Sequence, residues 1–322
     1  MNADLVRRPI RRWFPLFILP TFLCFIIGFV WPFLQGIYLS FCDFNIPKDA
    51  EWVGTDLFEE AMQNPDFAGN ILEQIRYGIS ISFKNYEKAL ADPSFSRAFW
   101  NTAIFAVVSI VTINVLAFAI AYALTQKMKG SSLFRTVFFM PNLIGGVVLG
   151  YIWSMIFDGV LRAYETYLTA DPNVAFWGLV ILVAWQQIGY MMIIYIAGLQ
   201  AVPEDMLEAA KIDGASGRQT LFNVIIPNVM PSITICTFLT LTNSFKLFDQ
   251  NMALTGGSPI ITLADGSQIK TTELLALNIY STYNINRRWH GTAQAKAVIF
   301  FILVAILALA QQYFTRKKEV QQ

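Results

Sequence analysis

Six long apolar runs, separated by shorter polar segments, organise this chain. A helix crosses the hydrocarbon core of a bilayer with about 20 mostly apolar residues. The runs at 13–41, 98–124, 134–157, 174–200, 229–248 and 293–314 meet that length. The pattern predicts an all-α polytopic membrane protein with six transmembrane helices. It divides the chain into an N-terminal segment 1–12, a first span 13–41, a polar lobe 42–97, a five-helix core 98–315 and a tail 316–322. The lobe is too short for a large domain and reads as a few short helices.

Charge placement sets the orientation. Lys and Arg near the ends of spans mark the cytoplasmic side. Arg7, Arg8, Arg11 and Arg12 precede the first span, and Lys127, Lys129 and Arg135 link the second and third. Lys211 and Arg218 link the fourth and fifth, and Arg316, Lys317 and Lys318 follow the sixth. The lobe 42–97 carries five basic residues against ten acidic ones. Both termini are therefore predicted to be cytoplasmic and the lobe extracytoplasmic. The first apolar run is too long for a signal peptide and lacks a small-x-small cleavage site.

Composition agrees with lipid as the main solvent. Of 322 residues, 55% are hydrophobic and 14% charged, with 27 Phe and 8 Trp. Soluble domains carry about 25% charged residues. A net charge of +1 gives no electrostatic case for nucleic acid. Cys24, Cys42 and Cys236 form no metal or disulfide pattern and read as apolar packing residues. His290 stands alone and is expected to be hydrated at the outer mouth.

The link 203–216 is the most informative polar segment. Pro203 suits a first helical turn, and Glu204 and Asp205 complement its positive end. Ala209 and Ala210 favour helix, and Gly214 permits a tight turn. Met206, Leu207 and Ala210 form an apolar stripe. Periodicity alone leaves two readings: a helix lying on the membrane surface, or one inserted into a groove of another protein.

The segment resembles the cytoplasmic signature of binding-protein-dependent importer permeases. Glu208-Ala209-Ala210 is followed after three residues by Gly214, and after nine more by Val224-Ile225-Ile226-Pro227. The family pattern ends Ile-x-Leu-Pro, so Val224 and Ile226 are apolar substitutions. Further segments resemble the carbohydrate branch of that family. They are Asn85-Tyr86 with Asp92, Phe95 and Asn101-Thr102; Pro141 with Trp153; and Phe245 to Asp249 with Leu254-Thr255-Gly256-Gly257. The branch has Pro directly after the two glycines, whereas Ser258 intervenes here before Pro259.

The resemblance covers about residues 80–315, and segment 42–79 matches nothing. It implies the type I ABC importer permease fold, of the first of two paired permease types, in a bacterial inner membrane. It also implies a second permease subunit in a heterodimer, an ATPase dimer and an extracytoplasmic solute-binding protein. The helix 203–216 becomes a coupling helix, with Glu208, Ala209, Ala210, Asp213 and Gly214 meeting the ATPase. ATP and Mg would be bound by that partner. This chain itself shows no phosphate loop, no metal-ligand spacing and no catalytic constellation, so no cofactor, metal or enzymatic role is assigned to it.

Polar side chains inside spans face protein or a water-filled cavity. Gln186, Gln187 and Tyr190 lie in the fourth run, and Thr240, Asn243 and Ser244 in the fifth. Amides and hydroxyls beside an aromatic ring, here Tyr190 or Trp185, suit a sugar. By the resemblance, Asn142, Gly146, Gln186, Gln187, Tyr190, Thr240, Ser244 and Leu247 occupy solute-holding positions; Leu247 is apolar where an amide would serve. Lys246 and Asp249 are expected to pair at i, i+3, and Lys296 to snorkel outward. A glycerol-phosphate-like solute, an ion-coupled secondary transporter and a purely structural scaffold are the competing readings. Span-end placement of Asp158 and Asp249 offers little for ion coupling.

Overall fold

The computed structural model describes residues 16, 18–64, 67, 70–126, 130–264, 266–285 and 289–316. The N-terminal arginines, Lys127, Lys129, Lys317 and Lys318 lie outside the described residues. The chain forms two compact units, Met1–Ala91 with Ser281–Ile299, and Asp92–Tyr280 with Phe300–Gln322.

The first unit begins with α1, Ile18–Leu39. Its apolar side chains point outward, as lipid contact requires. A two-residue antiparallel pair follows, β1 Cys42–Asp43 and β2 Glu51–Trp52. Among the described residues the lobe continues with the short helices α2 Thr55–Met62, α3 Ile71–Ser82 and α4 Lys84–Ala91. Asn85 is fully buried and locks the unit. Its amide donates to the carbonyls of Ser40 and Cys42 at 3.1 and 3.0 Å, and its oxygen accepts from Thr292 at 3.4 Å.

Two expectations fail in this unit. His290 is buried, not hydrated: its ring stacks on Tyr283 at 4.1 Å, and Nδ1 lies 3.1 Å from the Asn45 carbonyl. Lys296 does not snorkel. It is fully buried, and its ammonium donates to the Thr282 hydroxyl at 2.7 Å. A hydroxyl acceptor within reach replaces the water that snorkelling would seek.

The second unit holds α5 Pro93–Thr125, α6 Ser131–Phe139, α7 Gly146–Leu161 and α8 Pro172–Gln200. It continues with α9 Glu204–Ile212, α10 Gly217–Asn228, α11 Met230–Phe245 and α12 Asp249–Leu254. A small hairpin, β3 Ile260–Thr262 and β4 Gln268–Lys270, precedes α13 Leu275–Ile285. The last helix is α14, His290–Arg316, and both α13 and α14 cross a unit boundary. α5 and α8 start alike. Asp92 caps α5 and Asp171 caps α8, each followed by Pro at the first helical position.

α5, α8 and α11 meet at a polar knot. The Tyr195 hydroxyl donates to Asn114 Oδ1 at 2.8 Å, and Asn114 Nδ2 donates to Thr240 Oγ1 at 3.2 Å. Around it pack Ile113, Ala117 and Ala121 of α5 and Met191, Met192 and Ile196 of α8. Ala117 and Ala121 keep the facing surface small, which favours close packing between spans.

Among the described residues, five helices are long and apolar enough to cross a membrane: α1, α5, α8, the 146–164 segment and 290–313 of α14. A sixth crossing requires α10 and α11 to count as one broken span, bent by 69°. The third and fifth apolar runs are thus not single straight helices. In the third, Pro141 lies in a 3₁₀ turn, Met140–Leu143, between α6 and α7. Proline removes one donor and collides with the preceding turn. In the fifth, Pro227 and Pro231 flank the bend at Val229. Helix α11 stops at Phe245, and Asp249 opens a new helix. Lys246 and Asp249 therefore share no helical face and form no ion pair within 4.0 Å; Lys270–Glu273, at 3.5 Å, does so among the described residues.

The close approach of α8 to α6 gives a stability prediction. A Cβ at Gly189 would overlap the Phe138 carbonyl, whereas one at Gly145 would meet open space. Gly189→Ala should cost about 1–3 kcal/mol, as overpacked sites do. Gly145→Ala should leave the thermal midpoint nearly unchanged; unfolding of both variants in detergent measures this.

Candidate functional site

A cleft of about 270 Å³ opens where α8, α11 and α12 converge. Gln187, Asn243, Lys246, Leu247, Phe248, Asp249 and Gln250 line it. The end of α11 creates it, because the turn at 246–248 carries the chain away from the helix axis and turns side chains inward. Gln187 is 8% exposed, and its Oε1 has no hydrogen-bond partner. A buried, unsatisfied amide oxygen costs about 1–3 kcal/mol. A donor from the cleft would relieve that cost once the Gln187 side chain turns toward it.

The remaining predicted pathway residues divide by environment. Asn243 and Leu247 share the cleft with Gln187. Gln186, also buried, is committed elsewhere: Nε2 donates to the Ile144 carbonyl at 3.2 Å, and Oε1 accepts from Gln250 at 2.6 Å. Thr240 and Ser244 are buried and donate to the carbonyls four residues back, at 2.8 and 2.7 Å. Gly146 is a packing glycine, since a Cβ there would lie 2.8 Å from Asp249 Cβ. Asn142 is half-buried in the 3₁₀ turn. Tyr190 is exposed and Trp185 packs edge-on against Trp153, so the ring on the cleft is Phe248. Gln250 and Phe248 were not among the expected pathway residues, because the run 229–248 hides the helix end at Phe245 that brings them to the cleft.

The segment 203–216, expected to be a coupling helix, forms α9 and the turn after it. Gly214 adopts φ +73°. Its N–H donates to the Lys211 carbonyl at 3.1 Å, and the Ala215 N–H to the Ala210 carbonyl at 2.9 Å. These two bonds are the Schellman termination of a helix. Ser216 and Gln219 then cap the next helix reciprocally. The proposed apolar stripe is split: Ala210 is buried and Leu207 packs on the core, while Met206 faces out. Ile212 is 86% exposed, and Glu208, Ala209 and Asp213 are exposed with it. Met206, Ala209 and Ile212 recur every third residue on the free side. Behind α9 lies a cleft of about 600 Å³, bordered by Tyr122, Gln126, Gln200, Leu207 and Lys211. Leu207 and Ala210 thus seat the helix on its inner side, beside this cleft.

Residues 129–320 match the family described as the inner membrane component of binding-protein-dependent transport systems. A permease protein of Thermoanaerobacterium thermosulfurigenes, AmyD, is 39% identical over 317 residues, spanning 96% of each chain. This chain belongs to that inner-membrane transport family. AmyD is described as a probable permease of a transport system for starch degradation products. MsmF, a multiple sugar-binding transport system permease protein of Streptococcus mutans, is 29% identical over 96% of this chain and 97% of its own. The fold of this family member is similar to a chain of a bacterial ABC transporter that imports alginate. That likeness has a TM-score of 0.69 at 16% identity, over 97% and 98% of the two chains.

Gly214 of this family member is explained by backbone geometry, because a Cβ there would meet no atom within 4 Å. Gly214→Ala should cost about 1–2 kcal/mol through the left-handed conformation alone. Gly217→Ala, at a neighbouring open position, should cost less; comparative thermal unfolding of the two checks this.

Proposed function

We propose that this chain is one of two permease subunits of an ABC importer for a sugar or small oligosaccharide. In this reading it crosses a bacterial inner membrane six times, with α10 and α11 as one broken span and both termini cytoplasmic. The segment 42–97 is an extracytoplasmic lobe, 98–315 the permease core and 203–216 the coupling helix. A solute-binding protein delivers solute, a second permease completes the pathway, and a separate ATPase dimer binds ATP and Mg and supplies the work. The chain itself is non-catalytic.

The likeness to AmyD over nearly the whole of both chains carries the family part of this reading. The unsatisfied Gln187 oxygen carries the solute part. Sugars present hydroxyl donors, and Asn243 and Gln250 offer further amides on the same cleft. Phe248 supplies an apolar face, against which Tyr280 packs at 5.0 Å. Glu208, Ala209, Ala210, Asp213 and Gly214 serve the ATPase contact in two ways. The exposed residues make it, and Ala210 and Gly214 shape the helix that presents it. Met206 and Ile212 add the apolar anchors. Alternating access then requires ATP to favour one arrangement of the spans over the other.

Lys246 on the cleft favours a second reading, an anionic solute such as a glycerol-phosphate-like ester, with Asp249 on the same wall opposing it. Uptake of labelled malto-oligosaccharides and of a labelled glycerol phosphate ester into proteoliposomes holding the full importer separates the two. Sugar uptake that depends on internal ATP is expected. Ester uptake alone would overturn the sugar assignment, and uptake driven by an ion gradient without ATP would overturn the importer.

Two substitutions probe the roles. Gln187→Ala removes one solute hydrogen bond and should weaken apparent affinity about two- to tenfold, the effect of roughly 0.5–1.5 kcal/mol. Thr240→Val should instead lower the thermal midpoint with little change in affinity. Ile212→Asp should reduce both recovery of the ATPase with the permease and solute-stimulated ATP hydrolysis. Full coupling in that variant would remove Ile212 from the docking surface.

A further inference from the structure

Helix α3, in the segment that no family motif explains, has three faces. With about 100° between successive residues, Gln74, Tyr77, Gly78 and Ile81 share one side. That side packs inward: Tyr77 meets Phe67 edge-on at 5.5 Å, Gln74 donates to the Phe67 carbonyl at 3.0 Å, and Ile81 is buried. Glu73, Arg76 and Ser80 form a polar, exposed side. Between them, Ile71, Leu72, Ile75 and Ile79 cover an arc of about 100° and are 70, 80, 55 and 57% exposed. Nothing in the chain's described residues covers this aliphatic face.

We propose that α3 lies in the surface of the lipid leaflet where the first span ends, with the Ile71–Leu72–Ile75–Ile79 face among the acyl chains.

Three observations select lipid as the occupant. First, the C-terminal end of α3 is pinned to the end of the span. The Ser82 hydroxyl accepts from Trp52 Nε1 at 3.1 Å, Phe83 meets Phe41 edge-on at 5.6 Å, and Tyr86 Oη lies 2.7 Å from Ser40 Oγ. Residues 40 and 41 directly follow α1, so this end of α3 sits at the boundary of the hydrocarbon. Second, the exposed part of the face is purely aliphatic, since Ser82 at its end is half-buried and bonded to Trp52 and Gly78. Protein interfaces concentrate their energy in Trp, Tyr and Arg anchors, and none stands within this arc. Third, Arg76 lies beside the apolar arc on the polar side, where a lipid phosphate would meet it. Twelve residues make a helix about 18 Å long, which suits lying in the surface and excludes crossing.

The inference rests on α1 being a span, and a reference position keeps the two apart. Nitroxide labels at Ile75→Cys, Ile79→Cys, Ser80→Cys and Ile27→Cys are compared in the complete importer reconstituted in vesicles, with Cys24, Cys42 and Cys236 replaced by Ala. Collision with oxygen should dominate over collision with a water-soluble nickel chelate at 75 and 79, as at 27 in the span, and the preference should reverse at 80. Water-like accessibility at 75 and 79 with position 27 in lipid overturns the inference alone. A water-exposed position 27 overturns the span as well. A benzophenone side chain at Leu72, in the chain with its native cysteines, gives a second reading. Lipid adducts support the proposal; cross-links confined to the binding protein or the second permease overturn it.

Discussion

The amide of Gln186 holds together a stretch of non-helical backbone that leads into the apolar 146–164 segment. Lipid offers no hydrogen bonds, so a break in a spanning segment survives only where protein satisfies it. At the break between α6 and α7 the Ile144 carbonyl accepts from Gln186 Nε2, and Gln186 Oε1 accepts from Gln250 Nε2 on α12. One side chain therefore closes three elements: the interrupted third run, the straight fourth helix and the short helix after the fifth. Without it, the turn at 140–145 would lose the donor that Gln186 brings to the Ile144 carbonyl. Two glycines belong to the same joint. Gly146 fits tightly against Asp249 and Gln250, and a methyl added at Gly150 would lie 2.5 Å from Ala253 Cβ.

That joint also positions the candidate cleft. Gln250 bonds Gln186 with its amide nitrogen and borders the cleft beside Gln187, whose oxygen has no partner. Two adjacent glutamines on α8 thus divide the labour. Gln186 completes the fold, while Gln187 carries a buried acceptor without a partner beside the cleft. The same division appears on α11: Thr240 and Ser244 turn their hydroxyls back to their own helix, and Asn243 faces the cleft. Hydroxyls can satisfy themselves on the preceding turn; an amide such as Asn114 donates there too, to the Ile110 carbonyl at 2.8 Å, and still has capacity for Thr240 and Tyr195.

Much of this architecture is legible from residues alone, for specific reasons. Long apolar runs define α1, α5, α8 and α14 because straight spans need no tertiary help to be recognised. Asp92-Pro93 and Asp171-Pro172 mark helix starts through local chemistry. The spacing from Glu208 to Gly214 announces α9 and its left-handed exit. What stays hidden depends on contacts distant in sequence. An average over an apolar window passes smoothly across Pro141 and Pro231, so the third and fifth runs read as continuous. The i, i+3 argument for Lys246 and Asp249 presumed a helix that ends at Phe245. His290 and Lys296 looked solvated because their partners, Tyr283, Asn45 and Thr282, cannot be inferred from neighbouring positions.

The free face of α9 shows how far this reasoning extends toward mechanism. Sequence periodicity offered one apolar stripe for docking, but the fold uses Leu207 and Ala210 to seat the helix. The outward set is Met206, Ala209 and Ile212, with Glu208 and Asp213 beside them. In the proposed coupling role, a short helix seated by Leu207 and Ala210 would move as a unit rather than as a flexible loop. Its motion would then appear at α8 and α10, the elements joined to its two ends. α8 carries Gln186 and Gln187, so displacement of α9 would reach the Gln186 joint and the cleft through one continuous stretch of chain. The path is covalent and short, and it needs no chain of side-chain contacts to carry it.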